Sequence, residues 1–202
     1  PVIRPADLRA RRYQNLSDRA LIFAVDASGS AALARLNEAK GAIEILLSEA
    51  YSRRDHVALI SFRGTEAETL LPPTRSLVQT KRRLAALPGG GGTPLAAGLQ
   101  AAMILAQGTQ KRGQTPTIVV LTDGRSNVAL DGTGNRAQAA ADATDMGQQI
   151  RKTGIDSIVI DTGARPDQSL SQLATAMAGH YIALPRANAE RLSDSVSSHL
   201  MA

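Results

Sequence analysis

The sequence predicts an α/β domain with a doubly wound, mostly parallel six-stranded sheet and helices on both faces. Two observations support this fold class. Short apolar runs rich in β-branched residues alternate along the chain with longer segments of helical periodicity, as they do in successive βαβ units. Two of the runs, Ala20–Val25 and Thr117–Leu121, are almost entirely apolar. Such runs are typical of central parallel strands that are buried on both faces.

The first half of the chain alternates strand and helix. Ala20–Val25 is the first predicted strand, and the apolar residues within 33–50 recur at helical spacing. Val57–Phe62 predicts a second strand. Thr69–Leu71 predicts a short edge strand, and Pro72-Pro73 would stop it because proline has no N–H for a strand ladder.

The second half continues the alternation. After a predicted helix over Ser76–Leu87 and the glycines Gly89–Gly92, Thr93-Pro94 is a helix start signal, with Thr at the N-cap and Pro at the first helical position. The remaining predicted elements are strand Thr117–Leu121, a polar loop from Arg125 to Asn135, helix Ala137–Lys152, strand Ser157–Ile160, helix Leu170–Met177, strand Tyr181–Leu184 and helix Ala189–Leu200. We expect one domain over 20–202, preceded by an Arg-rich lead-in over 1–19.

The composition excludes several classes of function. The 202 residues include no Cys, so disulfides and thiolate metal sites are excluded. No run approaches the roughly 20 apolar residues that span a bilayer, and no secretory signal pattern is visible. We therefore expect a cytoplasmic protein. Because the chain begins without Met, we also expect it to be a fragment of a longer protein.

The net charge of +5 raises the question of nucleic-acid binding. Nucleic-acid modules usually combine basic patches with aromatic stacking platforms or a reading helix. Here the three Tyr and two Phe form no alternating basic and aromatic run. We expect the basic surface to dock an acidic protein partner rather than nucleic acid.

Polar side chains follow two predicted central strands and one glycine-rich turn. Asp26, Ser28 and Ser30 follow the first strand, Thr93 follows the glycines, and Asp123 follows the fourth strand. In open parallel sheets the functional crevice lies beyond the carboxyl ends of the strands, where the strand order reverses. All of these side chains offer oxygen, which suits a hard cation such as Mg²⁺ or Mn²⁺. The sequence therefore predicts one divalent metal site that keeps room for an acidic ligand from a protein partner.

Simpler roles exist for individual members of this set. Ser30 and Thr93, taken singly, would more often be helix N-caps than ligands. All of these oxygen-bearing side chains occur together in one sequence, each at a strand end or helix start, and this combination favours the metal site. Asp161 ends the fifth predicted strand near the same crevice, but a turn between strand and helix is favoured there. We expect Asp131, in the polar loop, to face solvent.

Other chemistries fit the sequence less well. Gly89–Gly92 lacks the Gly-Lys-Ser/Thr ending of a phosphate-binding P-loop, since Thr93-Pro94 follows it. A Ser nucleophile needs a general base, whereas His56 and His180 lie at predicted strand starts and His199 lies near the terminus. A metal-assisted phosphatase or hydrolase is the second hypothesis, and nucleic-acid binding is the third.

The polar motifs resemble those of a known family. The pattern Asp26-x-Ser28-x-Ser30, the Thr93-Pro94 pair after glycines, and Asp123-Gly124 after a strand are similar to the metal-ion-dependent adhesion site of von Willebrand A and integrin I domains. The resemblance runs from about residue 20 to the end of the chain. It implies a Rossmann-like von Willebrand A fold, with the family's ligand positions filled by Asp26, Ser28, Ser30, Thr93 and Asp123.

A narrower resemblance is to the C-terminal domain of the D subunit of magnesium chelatase, the enzyme that inserts Mg²⁺ into protoporphyrin IX in chlorophyll and bacteriochlorophyll synthesis. It depends on Val25–Ser30, Arg53–Gly64, Leu71–Thr74 and Gly90–Pro94. It implies a non-catalytic interaction domain that helps join the ATPase I subunit and the porphyrin-binding H subunit. A related cobaltochelatase, or another ATPase-associated complex, is the alternative.

Overall fold

The computed structural model describes residues 18–28, 44–45, 47–87 and 89–183. Ser30, His199, the predicted helix Ala189–Leu200 and residues 1–17 of the predicted lead-in over 1–19 lie outside the described residues. The strands are β1 Arg19–Asp26, β2 His56–Arg63, β3 Glu66–Thr74, β4 Thr115–Thr122, β5 Asp156–Asp161 and β6 His180–Ala183. The helices are α1 (residues 44–45 and 47–52), α2 Leu77–Ala85, α3 Leu95–Lys111, α4 Arg136–Thr153 and α5 Gln168–Ala176.

The strands form one six-stranded sheet in the order β3-β2-β1-β4-β5-β6. Every pairing is parallel except that of β2 with β3, which is antiparallel. The predicted doubly wound, mostly parallel sheet is confirmed. The chain leaves β1 on one side towards β2 and β3 and then returns to β1's other side to form β4. The strand order therefore reverses between β1 and β4, and their carboxyl ends lie together.

Aliphatic side chains fill both faces of this sheet. Leu21 and Phe23 of β1 belong to a buried cluster that also contains side chains of α1 and α2. Ile22 and Ala24 belong to a second cluster, formed with α3, α4 and α5. Because successive side chains of a strand point to opposite faces, the continuous apolar run of β1 supplies both clusters. No described helix has the length and apolar character needed to cross a membrane.

β3 is longer than the sequence predicted. The prediction was Thr69–Leu71 with Pro72-Pro73 as the stop, whereas the strand runs over Glu66–Thr74 and includes both prolines. The prediction of its end was wrong because β3 is an edge strand whose pairing with β2 shifts register around this region. Prolines are tolerated on edge strands and at such irregularities because a missing ladder N–H costs little there.

The start of α3 also differs from the prediction. The sequence predicted Thr93 as N-cap and Pro94 as the first helical residue, but the helix begins at Leu95, with Pro94 in the cap position and no side-chain cap hydrogen bond. The capping role was wrong because the Thr93 hydroxyl makes its hydrogen bond to Ser28 instead. The Thr93-Pro94 pair therefore predicted the presence of the helix correctly, but the predicted role of the Thr93 hydroxyl as its cap was wrong.

α3 lies close to the sheet at Gly98. A Cβ added to Gly98 would overlap the ring of Phe62, which is fully buried at the end of β2. A residue without a side chain is therefore required where helix and strand approach each other. This close packing sets the position of α3, and with it the position of the segment that carries Thr93.

Candidate metal centre

Asp26 is the last residue of β1 and is buried, with 4% of its surface exposed. One carboxylate oxygen, Oδ1, accepts a hydrogen bond from the backbone N–H of Ser28 at 2.9 Å. The other, Oδ2, accepts one from the hydroxyl of Thr122 at 2.9 Å. The carboxylate is therefore oriented by its own loop and by the end of β4.

Ser28 and Thr93 come together although they are far apart in the sequence. The Thr93 hydroxyl donates to Ser28 Oγ at 2.6 Å, and both residues are buried. The glycine-rich turn before Thr93 lies against Ala27, the first residue after β1, since the N–H of Gly90 donates to the carbonyl oxygen of Ala27 at 3.1 Å. Two hydroxyl oxygens therefore face one another beside the Asp26 loop.

Asp123 follows β4 and brings a second carboxylate to the same edge. β4 pairs with β1 in parallel register, with Val25 opposite Leu121, so that Asp26 and Asp123 extend from neighbouring strand ends. Asp123 Oδ1 accepts a hydrogen bond from the backbone N–H of Arg125 at 3.2 Å. The Arg125 Nε lies 3.6 Å from Asp123 Oδ2, and the arginine side chain is 72% exposed.

The electrostatics of this edge favour a cation. Burial raises the pKa of the Asp26 carboxyl above its ordinary value, and the negative charge of Asp123 raises it further. Hydrogen bonds from Ser28 and Thr122 lower the same pKa and offset part of that rise. Two carboxylates placed near each other in a partly dehydrated setting repel one another, and a positive ion between them would relieve the repulsion.

Four of the five predicted ligands thus lie at one edge of the sheet: Asp26, Ser28, Thr93 and Asp123. The fifth, Ser30, lies outside the described residues. Within the part of the chain that the structure describes, no group of three or more His, Cys, Asp or Glu is arranged to hold a metal. A cation at this edge would therefore depend on hydroxyl as well as carboxylate oxygens, and the metal site remains a prediction.

Two residues of this edge were missed from the sequence. Thr122 is fully buried and donates to Asp26, whereas in the sequence it was identified only as the residue after the predicted strand Thr117–Leu121. Its position directly before Asp123 is the signal that could have identified it. Asn127 accepts a hydrogen bond from the backbone N–H of Thr93 at 2.8 Å. No local pattern marks that contact, because it joins two loops.

The histidines that the structure describes lie at the opposite edge of the sheet. His56 and His180 are the first residues of β2 and β6, as predicted. His56 Nδ1 lies 3.0 Å from the side-chain nitrogen of Gln114. Neither histidine can serve Ser28 as a general base, so this part of the chain gives no support to a serine nucleophile.

Asp161 organises the turn after β5, as the sequence favoured. It is almost fully buried, and its carboxylate accepts hydrogen bonds from the backbone N–H groups of Gly163 and Asp167, both at 2.7 Å. It also accepts one from the Tyr181 hydroxyl at 2.6 Å. Burial, with the hydrogen bond to Asp161, raises the pKa of Tyr181 to about 12. These hydrogen bonds to the Asp161 carboxylate stabilise the turn after β5.

Asp131 is exposed, as expected.

The family of the chain follows from its match to a known domain model. The model for the von Willebrand factor type A domain matches residues 21–126, which is more than half of the chain. The chain belongs to the von Willebrand factor type A family. The match begins within β1 and ends four residues after β4, so that all of the candidate ligands of this A domain lie inside it.

The chain is also similar to two curated proteins of one kind. The A domain is 60% identical over 193 residues to the magnesium-chelatase 60 kDa subunit of Cereibacter sphaeroides, covering 96% of the chain. It is 56% identical over 201 residues to the subunit of the same name from Rhodobacter capsulatus, covering 100% of the chain. The chain spans 35% and 36% of these two relatives, about a third of their length.

A solved structure shows the same fold. The A domain superposes on the vWF domain of the type V pili tip protein Mfa5 from Porphyromonas gingivalis with a TM-score of 0.73, covering 92% of this chain and 95% of that one. The two sequences are 14% identical. A likeness at this level of identity concerns the fold alone.

Proposed function

We propose that this A domain binds one divalent cation, Mg²⁺ or in its place Mn²⁺, and through it an acidic side chain of a partner protein. The proposed ligands are Asp26, Ser28, Ser30, Thr93 and Asp123. The observation that carries the proposal is the buried hydroxyl pair of Thr93 and Ser28 beside two carboxylates at the point where the strand order reverses. Ligand sites of open α/β sheets form at this point.

The donor set fits a hard cation. Carboxylate and hydroxyl oxygens are ligands that Mg²⁺ accepts, and the described part of the site contains no histidine, cysteine or methionine that would select a softer metal. When bound, the ion supplies positive charge and a coordination position for one further oxygen. Asp26 is already oriented by Ser28 and Thr122, as the outer hydrogen bonds of a metal site orient its ligands.

The charges around the site support an acidic partner that binds only with the cation. Without an ion, an incoming carboxylate would meet the negative charges of Asp26 and Asp123. With an ion, the two carboxylates are roughly neutralised, and the exposed guanidinium of Arg125 leaves an excess of positive charge at the rim. Association with an acidic partner is therefore expected to depend on the metal.

The comparison with the two magnesium-chelatase subunits supports a place for this domain in a magnesium chelatase D subunit. We propose that it helps join the ATPase I subunit and the porphyrin-binding H subunit of that complex. In this role the ion in the A domain belongs to an interface and is separate from the Mg²⁺ that enters protoporphyrin IX. The alternative is that the domain is part of a related cobaltochelatase.

Binding of the A domain to its partner subunits tests this function. We expect the immobilised domain to retain the purified I or H subunit in Mg²⁺ and to release it in EDTA, with Mn²⁺ restoring retention. Ser28→Ala should weaken retention less than loss of either carboxylate, because it removes a neutral ligand. Retention that is equal in Mg²⁺ and in EDTA would contradict the proposal.

A further inference from the structure

Asn127 connects the loop that carries Thr93 to the loop that carries Asp123. Its side-chain Oδ1 accepts a hydrogen bond from the backbone N–H of Thr93 at 2.8 Å. Its own backbone N–H donates to the carbonyl oxygen of Thr93 at 3.2 Å. One residue therefore satisfies both main-chain polar groups of Thr93, from a position 34 residues further along the chain.

The packing around this contact leaves little freedom. A Cβ added to Gly92 would lie 2.5 Å from a methyl group of Val128, 2.9 Å from the carbonyl oxygen of Gly64 and 3.1 Å from Asn127 Oδ1. The chain before Thr93 can lie against Asn127 and Val128 because residue 92 has no side chain. Gly92 and Asn127 together thus bring Thr93 to the loop between β4 and α4.

Capping of α3 does not orient Thr93 towards the loop after β4. Its N-cap position is held by Pro94, with no side-chain cap hydrogen bond, so no capping interaction orients Thr93. The Thr93 hydroxyl is engaged with Ser28, and its main chain is engaged with Asn127. The direction of the hydroxyl therefore depends on where Asn127 holds the backbone.

We infer that Asn127 is a positioning residue for the cation site, acting through Thr93 without touching the ion. The inference rests on the proposed function, because it takes Thr93 as a ligand. Residues that orient metal ligands typically change metal affinity by about 10- to 100-fold when they are removed. We expect Asn127→Ala to lower affinity within that range, since the main chain of Thr93 loses the acceptor that holds it.

Asn135 provides a matched control. It is also an asparagine whose Oδ1 accepts one backbone N–H, from Gln138 at 3.2 Å, but it caps α4. Asn135→Ala should lower the unfolding temperature, as loss of a cap does, while leaving metal affinity within about twofold of the wild type. A purely structural role of Asn127 would make the two variants behave alike.

The experiment is a Mn²⁺ titration of the A domain, with free Mn²⁺ measured by electron paramagnetic resonance and folding checked by circular dichroism. Wild type, Asn127→Ala, Asn135→Ala, Thr93→Ala and the Asn127→Ala/Thr93→Ala double variant are compared. We expect the Asn127→Ala loss to disappear in the Thr93→Ala background, because a residue that acts through Thr93 has nothing left to position. Asn127→Asp, which keeps the acceptor oxygen, should bind Mn²⁺ at least as tightly as wild type.

The possible outcomes test the metal site and the role of Asn127 separately. A wild-type domain that binds no Mn²⁺ overturns the proposed function itself. If wild type binds Mn²⁺ but Asn127→Ala binds equally well, the role of Asn127 is refuted while the metal site stands. A loss that is undiminished in the Thr93→Ala background, or an equal loss in Asn127→Asp, also overturns the inference. If Asn127→Ala does not fold, Asn127→Asp replaces it in the test, and a loss of Mn²⁺ affinity in Asn127→Asp overturns the inference.

Discussion

Asp26→Ala is expected to reduce Mg²⁺ affinity by at least about 100-fold while the domain stays folded. A unit charge about 4 Å from another in partly buried surroundings contributes about 4 kcal/mol, and the ion carries two charges. Folding should survive because the buried Asp26 carboxylate is itself costly, as its raised pKa shows, with burial as the main cause. Its hydrogen-bond donors, the N–H of Ser28 and the hydroxyl of Thr122, lose one acceptor each.

Isothermal titration of Mg²⁺ into wild type and Asp26→Ala measures this effect. Asp131→Ala is the matched control: Asp131 is an exposed carboxylate that accepts hydrogen bonds from Thr133 in the loop after β4. Its removal changes the total charge equally and should leave affinity nearly unchanged. Affinities for Asp26→Ala and Asp131→Ala that agree within threefold would show that Asp26 does not hold the ion.

Phe62→Ala is expected to lower the free energy of unfolding by about 3–5 kcal/mol. Phe62 has 0% exposure and is the penultimate residue of β2, and its ring lies against Gly98 of α3, which has no side chain that could move into the space. The cavity should therefore remain largely open. Because Thr93 lies two residues before the start of α3, the folded fraction of this variant should also bind Mg²⁺ more weakly.

Urea unfolding followed by circular dichroism measures the stability change. Val78→Ala is the control, since Val78 is 78% exposed on α2 and its truncation should alter stability by no more than about 0.5 kcal/mol. Comparable losses in the two variants would contradict the packing of α3 on β2 described above.

The central strands were predictable because the apolar residues that make them buried lie within the strands themselves. Ala20–Val25 and Thr117–Leu121 are continuous apolar runs, and a strand covered by helices on both faces needs such a run. The extent of β3 was not predictable from its own residues. Whether Pro72 and Pro73 end a strand depends on the register with β2, which is a property of the paired strands.

The candidate site was predictable to the extent that it depends on strand ends. Asp26 and Asp123 follow apolar runs directly, and parallel neighbours bring such residues to one edge. Thr122 could have been predicted in the same way, from its position directly before Asp123 at the end of β4. Asn127 could not, since its contact with Thr93 joins two loops and depends on how those loops pack.

Diffraction from crystals of the domain grown with Mn²⁺, recorded to locate the metal by its anomalous signal, tests whether a cation binds where β1 and β4 end. We expect one peak at this edge, with the hydroxyl oxygens of Ser28 and Thr93 about 2 Å from the ion and both Asp26 and Asp123 around it. A peak elsewhere, or no peak at this edge in saturating Mn²⁺ with the two hydroxyls still hydrogen-bonded to each other, would contradict the proposed metal site.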